Sequence, residues 1–319
     1  MSNRSEISVA VLAGGTSSER EISLQSGANV VDALKQAGYG RVELLDPATE
    51  GFLHAIKDGG YDIAFIAMHG ELGEDGHIQS ILEFLEIPYT GSGVMASACA
   101  ADKDVAKLLY ARAGIPEAPG VAIERDEAYD VDKIVAVVGT DSFVKPAVNG
   151  SSYGVSAVKD PADLPAAIEL AFSYSDKVLV EKRLVGTEVS IGVFDDGQKL
   201  RALPIVEICV QNEGADFYNL KVKYMDPAKI HRIPAQLPAD VYATAQQLAC
   251  RAHEALGCYG FSRTDFIVTD EGPVILETNT IPGMTSASLY PDEIRHTDDL
   301  TFREVCATLI DLGFARAGR

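Results

Sequence analysis

Tryptophan is absent from this 319-residue sequence, and cysteine and methionine each occur only five times. The cysteines are scattered and form no C-x-x-C pair, which argues against a disulfide framework and against a structural zinc site. The six histidines likewise show no H-E-x-x-H spacing. We therefore interpret the cysteines as small core-filling side chains: Cys99, Cys209, Cys250, Cys258 and Cys306.

Basic residues are also few. The chain has 27 Lys and Arg against 47 Asp and Glu, a net charge of −20 and a pI near 4.6. Binding to nucleic acid requires basic patches that neutralise phosphates, so we expect no nucleic-acid partner. A small anion can still bind to an acidic protein if a few lysines converge on one pocket.

Long apolar runs are missing too. No run approaches the roughly 18 residues that a membrane-spanning helix requires. The N-terminal stretch "MSNRSEISVAVLAGG" lacks the basic region, the long apolar segment and the small-residue cleavage site of a secretory signal. We therefore expect a cytoplasmic protein with no membrane partner.

What the sequence does contain is an alternation of short apolar runs and helical patterns over its first hundred residues. Residues 7–15, "ISVAVLAGG", predict a buried parallel strand that ends in a turn. Helical and strand patterns then alternate, as in a small doubly wound α/β unit. From Ala101 the pattern changes to α+β, with two predicted strands around a Gly/Ser loop. Because no long linker is visible, we expect the units to pack against one another.

The segment 262–279, "SRTDFIVTDEGPVILETN", predicts a β-hairpin that carries chemistry. We assume a three-residue loop at 270–272, with Gly272 in the left-handed conformation. The period of two in a strand then places the opposed polar side chains on one face of the sheet. Three pairs face each other in this register: Thr269 with Pro273, Asp265 with Glu277, and Arg263 with Asn279.

Two carboxylates that face each other about 5 Å apart repel and destabilise a hairpin unless positive charge lies between them. A divalent cation is the simplest candidate, since two carboxylates and an amide suit Mg²⁺ or Mn²⁺ and not zinc. Arg263 beside them would stabilise anionic oxygens as phosphate charge moves. The alternative is that these residues are solvated polar positions on an exposed hairpin face.

The segment "FVKPAVNGSSYG" predicts Lys145 on a strand and then a loop at 150–154. Glycines and serines in such a loop, here with Ser151 and Ser152, expose backbone N–H groups that can bind phosphate oxygens. No lysine follows the glycine, so this is not a Walker A loop, and a plain turn is the alternative. Lys103 and Lys145 can supply positive charge for a nucleotide, or can be ordinary surface cations.

Glu19 lies near a predicted helix start, directly after a Gly-Gly turn. One interpretation is that its carboxylate interacts favourably with the helix dipole. The other is that it binds the ammonium group of a substrate.

Eight segments, in order and at matching spacing, resemble those of D-alanine–D-alanine ligases, ATP-grasp enzymes of cell-wall precursor synthesis. They are "GGTSSEREISLQSG", "MHGELGEDGHIQ", "IPYTGSGVMASACAADK", "VKPAVNGSSYGV", "VEKRLVGTEVSIGV", "KVKYMD", "GFSRTDF" and "LETNTIPGMTSASLYP". The resemblance covers nearly the whole chain and implies a three-domain ATP-grasp architecture. The implied units are an N-terminal α/β domain at 1–100, a central subdomain at 101–184 and a C-terminal subdomain at 185–319, with ATP between the last two.

The resemblance also implies the reaction. ATP phosphorylates the carboxylate of one D-alanine, and the amino group of a second D-alanine attacks the acylphosphate, which releases the dipeptide, ADP and phosphate. Phosphoryl transfer of this kind needs mainly positioning and charge neutralisation, and a closing loop keeps water from the acylphosphate. The implied cofactors are ATP and two Mg²⁺ ions, or Mn²⁺. A homodimer is implied as well.

The matched motifs assign roles to residues in this numbering. The implied metal ligands are Asp265, Glu277 and Asn279. The implied ATP contacts are Lys103, Lys145, Lys223, Ser151 and Ser152 at the phosphates, Glu181, Lys182 and Leu184 at the adenine, and Glu188 at the ribose. The implied substrate and catalytic residues are Glu19 with Ser151 and Tyr224, Arg263 at the transferring phosphoryl group, His69 near the first D-alanine, Tyr218 in the closing loop, and Gly283, Ser288 and Leu289 at the second D-alanine.

The closing loop departs from the family pattern. In "YNLKVKYMDPAKIHRIPA" only Tyr218, Lys223 and Tyr224 match, and His231 and Arg232 stand where aromatic or small polar residues are more usual. The Lys223-Tyr224 pair disfavours D-lactate as the second substrate and leaves D-serine open. A rival of another class is a non-catalytic nucleotide-binding module. That rival predicts loss of a metal ligand or of Arg263, and none is lost.

Overall fold

The computed structural model describes residues 3–148, 153–209 and 230–318. Its first unit is a three-stranded parallel sheet with the order β2-β1-β3, flanked by helices. Its strands are β1 (Ser8–Leu12), β2 (Arg41–Leu45) and β3 (Ile63–Ile66). Its helices are α1 (Arg20–Gln36), α2 (Phe52–Asp58) and α3 (His77–Phe84), followed by α4 (Val94–Ala101) and α5 (Lys103–Arg112). The predicted buried parallel strand at 7–15 is confirmed as β1, which is paired on both sides.

The second sheet has four antiparallel strands in the order β4-β7-β5-β6. The strands are β4 (Gly120–Glu124), β5 (Ser142–Pro146), β6 (Ser156–Val158) and β7 (Lys177–Lys182). The helices α6 (Val131–Val138) and α7 (Leu164–Phe172) cover one face and supply its apolar core.

The third sheet is antiparallel, with the order β11-β10-β8-β12-β13, and β9 pairs with β8. Its strands are β8 (Thr187–Asp195), β9 (Leu200–Ala202), β10 (Val206–Ile208), β11 (His231–Arg232), β12 (Phe261–Thr269) and β13 (Gly272–Asn279). Its helices are α8 (Ala239–Leu256), α9 (Leu289–Arg295) and α10 (Phe302–Arg316). Within the described ranges, no helix is long and apolar enough to cross a membrane.

The apolar cores do not follow the order of the chain. Helix α10, near the C-terminus, packs on α1 and β3, and its buried side chains join the core of the first sheet. Helix α5 packs against α8, and Tyr110 joins the core of the third sheet. The division of the chain at residues 100 and 184 stays a prediction, and these contacts show how closely the sheets are tied together.

The hairpin β12–β13 pairs the polar residues as predicted, but its loop is shorter than predicted and it contains a bulge. Asp265 faces Glu277 and Arg263 faces Asn279, which confirms both pairs. The prediction that Thr269 faces Pro273 is wrong, because Thr269 pairs with Gly272 across a two-residue loop. A β-bulge between Asp265 and Phe266 then shifts the register by one residue. The loop is one residue shorter than predicted and the bulge adds one residue, so the pairing beyond the bulge is the predicted one. Gly272 has a φ of +119°, in the positive range that favours glycine.

Candidate active site

One face of the third sheet carries a group of polar side chains. Asp265 and Glu277 are directly opposed on β12 and β13, and Arg263 and Asn279 form the next pair on that face. On the other side of β12, Ser190 of β8 pairs with Asp265, and its hydroxyl donates to Asp265 Oδ1 at 2.5 Å. Three neighbouring strands therefore bring their polar positions to one surface.

Positive charge offsets the repulsion between the two carboxylates. Arg263 donates from Nε to Asp265 Oδ1 at 3.0 Å and from Nη2 to Asp265 Oδ2 at 2.9 Å, a bidentate pair. Lys103 Nζ, at the start of α5, lies 3.3 Å from Glu277 Oε2. The side chains of Arg263 and Asp265 are each only 13% exposed. The alternative of a fully solvated hairpin face is therefore wrong at this pair.

Asp265, Glu277 and Asn279 offer oxygen donors only, on one face of one hairpin. This donor set fits a hard divalent cation such as Mg²⁺. No group of three or more His, Cys, Asp or Glu side chains suited to a metal is found in the described part of the chain. The third protein ligand of this set would therefore be the Asn279 amide.

Glu181, on β7, is a buried carboxylate between two lysine ammonium groups. Lys107 Nζ donates to Glu181 Oε1 at 2.7 Å, and Lys145 contacts Glu181 Oε2. Burial opposes ionisation of Glu181, but the two lysines outweigh it and hold the pKa of this carboxyl below its ordinary value. Lys107 also donates to Ala118 O at 2.8 Å. The group thus fastens α5 to the second sheet.

Lys107 is a site residue that the sequence reasoning missed. It lies four residues after Lys103 on α5, so both lysines lie on one face of the helix. That spacing was the available signal. Lys103 pairs with Glu277 on the hairpin of the third sheet, and Lys107 pairs with Glu181 on the second sheet. Helix α5 therefore forms ion pairs with both sheets.

A second group of polar residues lies at the N-terminal end of α1. Glu19 is the N-cap residue of this helix, although its side chain makes no capping hydrogen bond. A Cβ added at Gly70 would lie 2.9 Å from Glu19 Oε2, so the turn after β3 packs closely on the carboxylate. His69, 4% exposed, has its Nε2 2.9 Å from Ser26 Oγ and its Nδ1 3.3 Å from Glu74 Oε1.

Ser26, which the sequence reasoning also missed, connects His69 to the segment at 281–288, which follows the hairpin β12–β13. Its hydroxyl accepts a hydrogen bond from the backbone N–H of Met284 at 3.1 Å. Asn29, one turn later on α1, donates to the carbonyl of Met284 at 3.0 Å. The first unit and the segment at 281–288 are therefore held together by hydrogen bonds.

The predicted second-substrate residues lie within this segment and at the start of the helix that follows it. Ser288 is the N-cap residue of α9, and Leu289 opens the helix as a buried residue. Ser288 Oγ lies 2.7 Å from Thr285 Oγ1 and accepts from the Thr285 N–H at 3.1 Å. A Cβ added at Gly283 would lie 2.7 Å from Ser288 Oγ, so glycine permits this close approach.

The remaining predicted residues fall into two sets. Lys182 ends β7 and its N–H donates to Pro119 O at 2.9 Å, while Leu184 lies between β7 and β8. Glu188 lies two residues before Ser190 on β8 and hence on the face that carries Asp265. The other set lies outside the described residues: Ser151, Ser152, Tyr218, Lys223 and Tyr224.

Comparisons with known proteins agree over most of the chain. Residues 48–92 match the family described as D-ala D-ala ligase N-terminus, and residues 109–311 match D-ala D-ala ligase C-terminus. The D-alanine–D-alanine ligase of Syntrophobacter fumaroxidans is 42% identical over 96% of this chain and 97% of its own length. The Geobacter sulfurreducens ligase is 42% identical over 95% of this chain and 92% of its own length.

Solved structures show the same relationship. The Bacillus anthracis D-alanine–D-alanine ligase complexed with ATP superposes with a TM-score of 0.82 at 27% identity, covering 98% of each chain. The Coxiella burnetii enzyme gives a TM-score of 0.83 at 29% identity, covering 98% of this chain and 95% of its own. The expected ATP-grasp fold is confirmed.

Proposed function

The chain belongs to the D-alanine–D-alanine ligase family, and we propose that it joins two D-alanines in an ATP-dependent reaction for peptidoglycan precursor synthesis. The observation that carries the proposal is the geometry of the third sheet. Asp265, Glu277 and Asn279 share one face with Arg263, and Lys103 reaches the same face from α5. A degenerate nucleotide-binding module has no use for this complete set.

Charge placement supports phosphoryl transfer on this face. A carboxylate is a poor electrophile, and phosphorylation gives it a leaving group. Arg263 presents a planar guanidinium suited to the equatorial oxygens of the transferring group. Two Mg²⁺ ions, or Mn²⁺, held by Asp265, Glu277 and Asn279 would neutralise phosphate charge.

The proposed nucleotide site lies between the second and third sheets. Among the described residues, Lys103 and Lys145 would contact the phosphates, and Lys223, Ser151 and Ser152 would complete that set. The adenine would lie near Glu181, Lys182 and Leu184, and the ribose hydroxyls near Glu188. The Lys182 N–H already bonds to Pro119, so the base would meet the Lys182 backbone through its carbonyl group.

The proposed first D-alanine lies beside α1. Glu19 would accept the ammonium group, with His69 next to it, and Ser151 and Tyr224 would complete a hydrogen-bonded set. The hydrogen bonds from His69 through Ser26 to Met284 support this arrangement, because they fix the first site relative to the segment at 281–288.

The second D-alanine would lie against Ser288, Gly283 and Leu289, with Tyr218 in the loop that covers it. Ser288 Oγ lies 2.7 Å from Thr285 Oγ1, which supports this placement because it brings two hydroxyl groups within reach of one carboxylate. D-serine and D-lactate are the alternative second substrates.

Two further proposals follow from family membership. The reaction is assigned to the cytoplasm, where its ATP is made. The chain is assigned to a homodimer, which is supported by large exposed apolar side chains on two contacting helices, Phe84 of α3 at 89% and Met95 of α4 at 75%.

The direct test is phosphate release from ATP and Mg²⁺ with D-alanine, with L-alanine, and with D-alanine paired with D-serine or D-lactate. We expect release with D-alanine alone and none with L-alanine. Release only with a mixed pair would reassign the second site. Binding of ATP without release for any pair would favour a non-catalytic nucleotide-binding module.

A further inference from the structure

Glu293, on α9, is a buried carboxyl group to which the proposed reaction gives no role. It is 0% exposed, and in the described parts of the chain the hydrogen-bond donor nearest its carboxyl group is the backbone N–H of Gly192, with no side-chain donor to either oxygen. Burial raises the pKa of Glu293 well above its ordinary value, and the nearby Arg263 offsets only part of this effect. A buried carboxyl group with so few hydrogen-bond partners lowers stability, so packing alone gives no reason for a carboxyl group here.

Its position relates it to the candidate site. A Cβ added at Gly192 would lie 2.0 Å from Glu293 Oε2, so the carboxyl occupies the space of the missing side chain. Gly192 pairs directly with Arg263 across β8 and β12, and the side chains of such pairs lie on one face, about 5 Å apart at Cβ. Glu293 therefore lies beside Arg263, on the face that also carries Asp265.

Helix α9 is fixed firmly enough to hold the carboxyl there. Tyr290, three residues before Glu293, is fully buried, and its hydroxyl donates to Val193 O at 3.1 Å. A Cβ at Gly192 would also lie 2.8 Å from Tyr290 Cδ2. The absence of a side chain at Gly192 thus admits both residues of the helix to the sheet.

Arg263 and a cation compete for the same atoms. Both oxygens of Asp265 accept from the guanidinium in this structure, and these are the oxygens that a divalent cation would need. A divalent cation held by Asp265 would repel the guanidinium and share these oxygens with it, which would weaken the contact between Arg263 and Asp265. A second carboxyl group next to Arg263 offers it another acceptor on the same face.

We propose that Glu293 is a positioning residue, which holds the Arg263 guanidinium over the sheet once a divalent cation occupies Asp265. This inference rests on the proposed function, in which Asp265 is a metal ligand and Arg263 stabilises the transferring phosphoryl group. Glu293 touches neither substrate nor metal and acts only through Arg263.

The test is the affinity for Mn²⁺ in the presence of ADP, measured by calorimetry for the wild-type chain and for Glu293→Met, Arg263→Met and the double variant. Without Glu293, Arg263 stays on Asp265 and competes with the metal. We expect Glu293→Met to weaken Mn²⁺ binding about tenfold. In the Arg263→Met background the same substitution should have no effect, because the competing guanidinium is gone.

Turnover gives a second readout. We expect Glu293→Met to lower kcat about tenfold or more with the KM for ATP changed less than threefold. Glu293→Gln keeps one acceptor oxygen, so its kcat should lie between that of the wild-type chain and that of Glu293→Met. The control is Glu254→Met on the exposed side of α8, which should change neither quantity.

The outcomes separate the two proposals. Unchanged Mn²⁺ affinity in Glu293→Met, or an equal loss with and without Arg263, would overturn the positioning role alone. A wild-type chain that binds no Mn²⁺ with ADP would overturn the metal site and this inference with it. Thermal unfolding of each variant is measured in parallel, and a lower Tm with normal kcat per folded molecule would indicate a packing role and contradict the inference.

Discussion

Individual charged residues in the candidate site are neutralised by one or two partners at short range. Asp265 is paired with Arg263, Glu277 with Lys103, and Glu181 with two lysines. An intact ion pair that is partly removed from water contributes little to the free energy of folding. Removal of one member is costly, because it leaves the other charge without a partner. Substitutions that remove a single charge are therefore informative about both stability and function.

Glu181→Gln tests the buried pair directly. At pH 7 it leaves Lys107 and Lys145 facing an amide, and we expect a loss of about 3 kcal/mol in the free energy of unfolding. The folded pKa of Glu181 is lowered, so its stabilisation is complete above the unfolded value of about 4.3 and declines as the pH falls further. The difference between wild type and variant should thus shrink below that pH.

Urea unfolding at pH 7 and at pH 4 or below measures this difference. Glu169→Gln, an exposed position on α7, is the matched control and should stay within about 0.5 kcal/mol of wild type. A difference that is independent of pH would show that Glu181 stabilises through packing and not through its charge.

Glu277→Gln tests the metal-binding face. We expect kcat to fall about 100-fold, because a ligand worth several kcal/mol of charge stabilisation is weakened. The side chain is 33% exposed and its pair with Lys103 is long, so stability should change by about 1 kcal/mol or less. Phosphate release and thermal unfolding are measured together.

Glu271→Gln, in the exposed loop of the same hairpin, is the control and should keep normal turnover. If Glu277→Gln unfolds but keeps normal turnover per folded molecule, the assignment of Glu277 as a metal ligand is wrong.

The sequence indicated some of these residues and not others for a physical reason. Asp265 and Glu277 could be paired because a hairpin turn fixes which residues face each other. Lys107 and Ser26 look like ordinary residues of amphipathic helices, and their partners are distant in sequence. Glu293 gives no local signal either, since its burial depends on a glycine about a hundred positions earlier.

At the scale of elements, the hairpin β12–β13 differs from the prediction at two places, its loop and its bulge, and still keeps the predicted register at the polar residues. The loop is one residue shorter than expected, and the bulge adds one residue on β13. A bulge depends on how the strand bends against its neighbours, and the sequence of the hairpin alone does not reveal that. The pairs Asp265–Glu277 and Arg263–Asn279 were predicted correctly because they lie beyond both deviations.

Helix α1 is a second element whose position matters for the site. Its Gly27 faces the C-terminal end of β1, and an added Cβ there would lie 2.4 Å from the Cβ of Ala13, the residue that follows the strand. The glycine therefore lets the helix approach the sheet closely enough for Ser26 to bond both His69 and Met284.

Gly27→Ala should destabilise the protein by about 1 to 2 kcal/mol in urea unfolding. Overpacking lowers the free energy of unfolding by about 1–3 kcal/mol, and the higher helix propensity of alanine raises it by up to about 1 kcal/mol. Gln25→Ala, exposed on the same helix, should be nearly neutral. Adding Ala13→Gly should restore part of the loss, because it removes the opposing methyl group. A stabilised Gly27→Ala variant would contradict the close approach.

At the scale of the whole molecule, the C-terminal helix packs against the N-terminal unit. Helix α10 returns to α1 and β3, and a Cβ added at Gly313 would lie 2.7 Å from Ile63 Cδ1. The third sheet is thus tied to the first by packing as well as by the hydrogen bonds to Met284. Alternation of strands and helices predicted the α/β class, but a contact between residues some 250 positions apart leaves no periodic signal.

The exposed apolar residues of α3 and α4 lead to a prediction about assembly. Phe84 and Met95 lie on contacting helices of the first unit and remain 89% and 75% exposed. If this surface forms a homodimer, Phe84→Arg should convert the dimer to a monomer, because it places a charge in an apolar interface. Light scattering coupled to size-exclusion chromatography measures the mass. Leu170→Arg, at 47% exposure on α7 of the second sheet, is the control and should leave the dimer intact. A wild-type chain of monomeric mass, or a Phe84→Arg variant that stays dimeric, would show that this surface has another use.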